Sequence, residues 1–362
     1  TKTVPVTKAT YPITLQTDKN SYQRTESIRV TATVKYPNGT TLGTGAVTAV
    51  IKRGATQLAS LTLRYNTVAK NWESSYPIKA SDPAGEWNIT ASTKDAYDNS
   101  GSASKIVSVS AAQLTVSGSS NATAYQRTQT IEMTAAIQYP NGTALSIGSM
   151  NATVKIGAST VARIPLTYSP VFGNWRGSYH VKSDAPIGDW VVLFEADDGH
   201  ANVGSDTVAI AVTRATLQVS VLPNKSEYQR TETAQIQVAV KYPNGSPMTP
   251  SCLALDLCSS ARLNVSLGTQ TLGSQLLQYN ATLERWMGSY KIELDDPLGN
   301  YALNVHAQDT SGNLGSGQVI VGVVTANISV TVSTDKTTYN LVYDTIRVSA
   351  TAMYPDGTTL IT

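Results

Sequence analysis

Four stretches of the chain are near-copies of one another: Tyr22 to Thr40 (YQRTESIRVTATVKYPNGT), Tyr125 to Thr143, Tyr228 to Ser246 and, less closely, Tyr339 to Thr358 (YNLVYDTIRVSATAMYPDGT). Their opening tyrosines lie 103, 103 and 111 residues apart. That period is far longer than a solenoid repeat and close to the size of one β-sandwich domain. Each repeat is therefore expected to be a domain with its own hydrophobic core, and a chain of 362 residues holds three whole ones.

Within each opening segment apolar residues alternate. Ile28, Val30, Ala32, Val34 and Tyr36 share one face, with Arg29, Thr31, Thr33 and Lys35 on the other. The pattern is that of a half-buried strand, and it recurs in Ile131 to Tyr139 and in Ile236 to Tyr242. Each strand ends in Tyr-Pro-Asn-Gly or Tyr-Pro-Asp-Gly, where Pro presets one turn dihedral and Gly tolerates positive φ, so the chain must reverse. Later in each unit come Trp72 to Tyr76, Trp175 to Tyr179 and Trp286 to Tyr290, then turns at Asp82 to Gly85, Asp184 to Gly188 and Asp296 to Gly299. Trp87, Trp190 or Tyr301 opens a further alternating strand, which leads to a polar turn and a last apolar strand. About seven strands per unit and no helical period predict an all-β chain of tandem immunoglobulin-like antiparallel β-sandwiches.

The expected boundaries are 10–110, 111–213 and 214–325 for the complete domains. Residues 326–362 supply the first strands of an incomplete fourth, and 1–9 (TKTVPVTKA) align with closing strands such as 104–112 (SKIVSVSAA), as though a preceding unit ended there. The sequence thus reads as a window cut from a longer array; the rival reading is a subunit whose incomplete ends pair between molecules. Linkers such as Ser110-Ala111-Ala112 and Thr213-Arg214 are only two or three residues, which predicts semi-rigid connections. The eight extra residues of the third unit fall between Tyr242 and Trp286, an interval that holds both cysteines, Cys252 and Cys258. A local disulfide stapling an enlarged loop is expected, the alternative being two free thiols.

Net charge is +2 with 14% charged residues and no Lys/Arg run, which argues against nucleic acid as a partner. No apolar run is long enough to cross a bilayer. Ten Asn-X-Ser/Thr sequons, at Asn38, Asn88, Asn121, Asn141, Asn151, Asn224, Asn244, Asn264, Asn280 and Asn327, suit a secreted surface carrying covalent N-glycans. Composition alone would give roughly half as many. Asn38, Asn141 and Asn244 share one predicted turn, although Pro247 directly follows the sequon of Asn244.

His180, His200 and His306 sit at unmatched positions, without zinc-ligand spacing or a triad partner. Asp95, Asp98, Asp197, Asp198 and Asp309 recur in the late turn of each unit. Extracellular calcium clamps use such loops, but Asp, Asn and Gly are also what a hairpin turn wants, and the turn is the default. Arg24, Arg127 and Arg230 repeat in Tyr-Gln-Arg-Thr and vanish in the fourth unit. A structural role at the strand entry is expected, packed or paired near Glu26 or a neighbouring carboxylate. The repeated Trp and Tyr residues could stack on sugars but are expected in the core. No nucleophile elbow, P-loop or dinucleotide fingerprint occurs, so neither a cofactor nor catalysis is expected.

Thr17-Asp18-Lys19-x-x-Tyr22 and Thr334-Asp335-Lys336-x-x-Tyr339, with the strand and Tyr-Pro-Asp/Asn-Gly-Thr turn that follow, resemble the opening of macroglobulin-type (MG2-like) and other immunoglobulin-like domains of prokaryotic surface proteins. The macroglobulin thioester motif and bait region are absent, so protease trapping is not implied. With its sequons, low charge and Tyr-, Ser- and Thr-rich make-up, the array is similar to archaeal surface-layer glycoproteins and cell-surface filaments. The resemblance implies a structural, extracellular cell-surface protein that associates with other copies of itself. The alternatives are an adhesin stalk and the noncatalytic tail of a large secreted hydrolase.

Overall fold

A computed structural model describes residues 2–254 and 257–361. Every regular element among them is a β-strand. The first sandwich contains β1 (Ile13–Thr17), β2 (Ser21–Gln23), β3 (Ser27–Val34), β4 (Val47–Arg53), β5 (Thr56–Asn66), β6 (Asn71–Pro77), β7 (Gly85–Lys94) and β8 (Ser100–Ser110), bonded in the order β1-β3-β6-β5-β4-β7-β8-β2. The series doubles into two layers at β5, which pairs with β4 as far as Leu63 and with β6 from Arg64. The entering chain is also shared between layers. β1 lies antiparallel to β3, and β2 lies parallel to β8.

The middle sandwich repeats this plan with β9 (Thr115–Ser120), β10 (Ala124–Gln126), β11 (Thr130–Gln138), β12 (Ser149–Ile156), β13 (Ser159–Pro165), β14 (Thr167–Ser169), β15 (Asn174–His180), β16 (Gly188–Asp197) and β17 (Val203–Thr213). Here the switching strand is broken in two, and the sheets are β10-β17-β16-β12-β13 and β14-β15-β11-β9. The third has β18 (Gln218–Pro223), β19 (Glu227–Gln229), β20 (Thr233–Lys241), β21 (Cys252–Ala254), β22 (Leu257–Cys258), β23 (Ser260–Leu267), β24 (Gln270–Leu276), β25 (Gln278–Asn280), β26 (Arg285–Lys291), β27 (Gly299–Gln308) and β28 (Leu314–Val324). Its sheets are β18-β20-β26-β25 and β19-β28-β27-β23-β24. A last hairpin pairs β29 (Ser329–Thr334) with β30 (Val348–Met353). The residues gather into two compact units: Thr1–Thr123, Glu132–Tyr179 and Asp189–Ile210 form one, and Ala124–Ile131, His180–Gly188 and Ala211–Thr362 the other.

The alternation of apolar residues becomes the core. Ile28, Val30, Ala32 and Val34 of β3 are fully buried against Val47, Ala49 and Ile51 of β4 and Trp87, Ile89 and Ala91 of β7. Tyr36, expected on the same face, lies beyond the strand and is exposed. The repeated tryptophans are core residues, and Trp72, Trp175 and Trp286 donate Nε1–H to the carbonyls of Leu42, Leu145 and Met248 at 2.8, 2.9 and 3.1 Å. Each buried indole thus has its polar atom satisfied, as close packing of an amphipathic ring requires.

The added residues of the third unit form the β21–β22 hairpin, in which Cys252 faces Cys258 and is joined to it by a disulfide. Residues 2–9 carry no regular element in this chain. Their counterpart in β8 is held along the whole of β7, and residues 2–9 meet no such neighbour among the described residues.

Where each entering chain crosses the last strand, a glycine makes room. A Cβ on Gly101, Gly204 or Gly315 would lie 2.1 Å from the carbonyl oxygen of Tyr11, Leu114 or Leu217. Backbone on backbone cannot yield cheaply, so Gly204→Ala is expected to destabilise the protein by about 1–3 kcal/mol in urea unfolding. A loss below ~0.5 kcal/mol would show that the crossing adapts.

Candidate functional site: a repeated junction

The most elaborate side-chain chemistry lies where one sandwich meets the next. In the first sandwich, Gln23 to Glu26 make a tight turn closed by Glu26 N–H donating to Gln23 O at 3.2 Å. Thr25 occupies its left-handed position with φ 69°, as Thr128 and Thr231 do in the later turns with φ 69° and 71°. Glycine is the usual residue there, and a β-branched residue is strained by on the order of 1–3 kcal/mol. The threonines are buried, and their Oγ1 atoms have no hydrogen-bond partner. Each is instead tied through its backbone, Thr25 N–H donating to Ile78 O and Thr128 N–H to Val181 O.

This turn aims the arginine. Arg24 Nε donates to Asp82 O at 2.6 Å within its own sandwich, and Nη1 reaches across to His200 O and to Asn202 Oδ1, the latter at 3.3 Å. Arg127 does the same one repeat later, to Ala185 O at 2.6 Å, Ser311 O at 2.8 Å and Asn313 Oδ1 at 3.2 Å. Arg230 Nε holds Asp296 O at 2.7 Å. The expected carboxylate pairing is therefore not formed. Glu26 is taken by Lys19 Nζ at 2.8 Å and by Gln23 N–H at 2.6 Å, and the arginine binds neutral oxygens.

The receiving turn is organised by an aspartate. Asp198 Oδ1 accepts from His200 N–H and Asn202 N–H, while Oδ2 accepts from Asn202 Nδ2 and, at 3.0 Å, from Tyr139 Oη. Asp309, with Ser311, Asn313 and Tyr242, repeats every one of these bonds. Asn202 and Asn313 are wholly buried. Asn202 Oδ1 also accepts Ala112 N–H at 2.7 Å, and Nδ2 donates to Ala80 O at 3.0 Å; Asn313 does likewise with Ala215 and Ser183. The glutamine beside each arginine closes the linker. Gln23, Gln126 and Gln229 Oε1 accept from Gln113, Thr216 and Asn327 N–H at 2.8, 2.8 and 2.6 Å. Of the late-turn aspartates considered as calcium ligands, Asp198 and Asp309 thus hold donors on both oxygens. Asp197 accepts Gly199 N–H, and Asp98 pairs with Lys8 and Lys94.

Among the described residues no group of three or more His, Cys, Asp or Glu could hold a metal ion. His180 and His306 are exposed on strands, and His200 serves through its carbonyl. Asn38, Asn141 and Asn244 occupy the Tyr-Pro-Asn-Gly turns, each Oδ1 accepting from the backbone N–H and the hydroxyl of its own sequon residue, Thr40, Thr143 or Ser246, at 3.0 and 2.7 Å. Asn88, Asn121, Asn224 and Asn327 are exposed, and Asn151, Asn264 and Asn280 are half-buried.

No family model matches the chain, and no curated protein matches it. Among solved structures it is similar to a tetra-tandem repeat in the extending region of a large adhesion protein, at 16% identity over 97% of this chain and 90% of that one, with a TM-score of 0.31. It is also similar to the Escherichia coli adhesin FdeC, at 13% identity over 89% and 99% with a TM-score of 0.29. A Salmonella alpha-2-macroglobulin matches at 13% identity over 95% of this chain, which spans 25% of that protein's length, with a TM-score of 0.24. The sheets themselves make this chain an all-β tandem of immunoglobulin-like sandwiches.

Two outcomes test the junction. Asn202→Ala leaves the Arg24 guanidinium, Ala112 N–H and Asp198 short of partners, and is expected to cost about 1–3 kcal/mol in urea unfolding, with Ala112 N–H exchanging faster in deuterium exchange. The second concerns pH. Burial, and then the hydrogen bond to Asp198, push the Tyr139 phenol up to about 12. Burial opposes ionisation of Asp198, but the donors from Asn202, His200 and Tyr139 outweigh it and hold the carboxyl below 3.8. A raised phenol stabilises fully below pH 10 and loses that contribution as pH rises through about 12. A lowered carboxyl stabilises above pH 3.8 and loses it as pH falls through its folded value. Scanning calorimetry should show a plateau between these limits, and Tyr139→Phe should weaken the alkaline decline.

Proposed function

We propose that the chain is a structural cell-surface protein: a glycosylated array of immunoglobulin-like sandwiches forming part of a surface-layer lattice or an extracellular filament of archaeal type, without catalysis. The observation that carries this reading is the same arginine-to-asparagine junction built twice. Side chains that could bind or react are spent on holding neighbouring sandwiches in one relation, which is what a spacer needs. The sequons support a glycan-coated exterior, since three present the same turn with Nδ2, the atom a glycan would occupy, outside the bonds made by Oδ1. The Cys252–Cys258 disulfide suits an oxidising compartment. Self-association with other copies completes the reading.

Electron microscopy of the native protein, taken from its source surface without denaturant, tests this. Regular sheets or helical fibres support a lattice or filament, whereas isolated monodisperse particles would move the reading to an adhesin stalk. Mass spectrometry of the same material should find glycan mass on the Asn38 and Asn141 peptides. Unmodified asparagines at all ten sequons would remove the glycoprotein element.

A further inference from the structure

The receiving half of the junction is also built into the first sandwich. Asp95 Oδ1 accepts from Tyr97 N–H and Asn99 N–H, both at 2.9 Å, and Oδ2 accepts from Asn99 Nδ2 at 2.8 Å. Tyr11 Oη, at 2.6 Å from Oδ2, takes the place filled by Tyr139 in the second sandwich. Asn99 Oδ1 accepts Ala9 N–H at 2.6 Å, just as Asn202 accepts Ala112 and Asn313 accepts Ala215. The carbonyl of Tyr97 stands two residues after the aspartate, where His200 and Ser311 offer theirs. One thing differs. No guanidinium reaches this turn among the described residues, and Asn99 is half-exposed where its two counterparts are fully buried.

We propose that the Asp95–Asn99 turn is a socket for an arginine guanidinium presented on the Gln-Arg-Thr turn of another sandwich of this same repeat, with Tyr97 O and Asn99 Oδ1 as its acceptors. The occupant is argued from the two filled copies, in which the same positions bind the same group. Lysine cannot replace it. The guanidinium holds a carbonyl of its own sandwich through Nε while Nη1 binds the neighbour, a fork that a single ammonium does not reproduce. Asp98, which stands where the filled turns have Ala201 and Gly312, adds a carboxylate at the rim, paired with Lys8 at 2.9 Å and Lys94 at 2.6 Å.

The test lengthens the full chain by one sandwich, a copy of residues 10–103 placed ahead of Thr1, so that residues 1–9 continue it as 104–112 continue the first. Deuterium exchange is read at the Tyr97 and Asn99 amides of the original first sandwich. The expected result is exchange slowed about tenfold, the effect of a bond to a charged donor. Arg24→Ala or Arg24→Lys in the added copy should restore the faster rate. Unchanged exchange beside an added copy whose Trp87 strand is protected, or equal slowing with the alanine variant, would overturn the proposal. A second version, adding residues 113–206 with Arg127 as donor, gives the same reading should the first copy not fold.

Discussion

The buried asparagine amide at the head of the second and third sandwiches is the interaction on which each junction depends. Its carbonyl oxygen accepts from the linker backbone and from the arginine of the sandwich before, and its nitrogen donates to the aspartate of its own turn and to a carbonyl of that earlier sandwich. A buried polar group costs free energy unless its bonding capacity is met. This one is met only when both sandwiches are in place, so correct juxtaposition and polar satisfaction are the same event. The arrangement is selective as well as stabilising, because a rotated neighbour would strand the amide.

The strained turn serves that amide. Holding Thr25 or Thr128 at positive φ sends the adjacent arginine out of its own sandwich and toward the next. Burial fixes the turn, and the bonds from Thr25 to Ile78 and from Thr128 to Val181 anchor it to a strand end. The fourth copy also has a residue at positive φ, Val342 at 78°, but its turn is one residue longer, closed by Asp344 N–H donating to Asn340 O, and it has Asn340 and Leu341 in place of glutamine and arginine. The three-residue closure and the arginine are thus lost together in that copy.

Much of the sandwich was legible in the sequence. Alternation located the inward faces of β3, β11 and β20, the repeated Trp marked the core, and the changed spacing between Tyr242 and Trp286 located the disulfide hairpin. The junction was not legible. Arg24 finds its partners 176 and 178 residues away, beyond any local pattern. The carboxylate nearest in sequence, Glu26, is engaged by Lys19 instead. Threonine at a glycine position carries no turn signal, and the late-turn Asp and Asn look like hairpin residues because locally they are. The one clue was phase: arginine and the late-turn asparagine recur together in the complete units, which a joint function would require.

The acceptors for the arginine are a main-chain carbonyl and an amide oxygen, and the carbonyl belongs to histidine in one sandwich and serine in the next. Recognition therefore reads the path of the backbone and a single asparagine, and is blind to most of the sequence around it. A gene segment duplicated in frame at this period would encode a sandwich already mated to both neighbours. Chain length could then change by whole repeats in one event, with no new interface to be evolved.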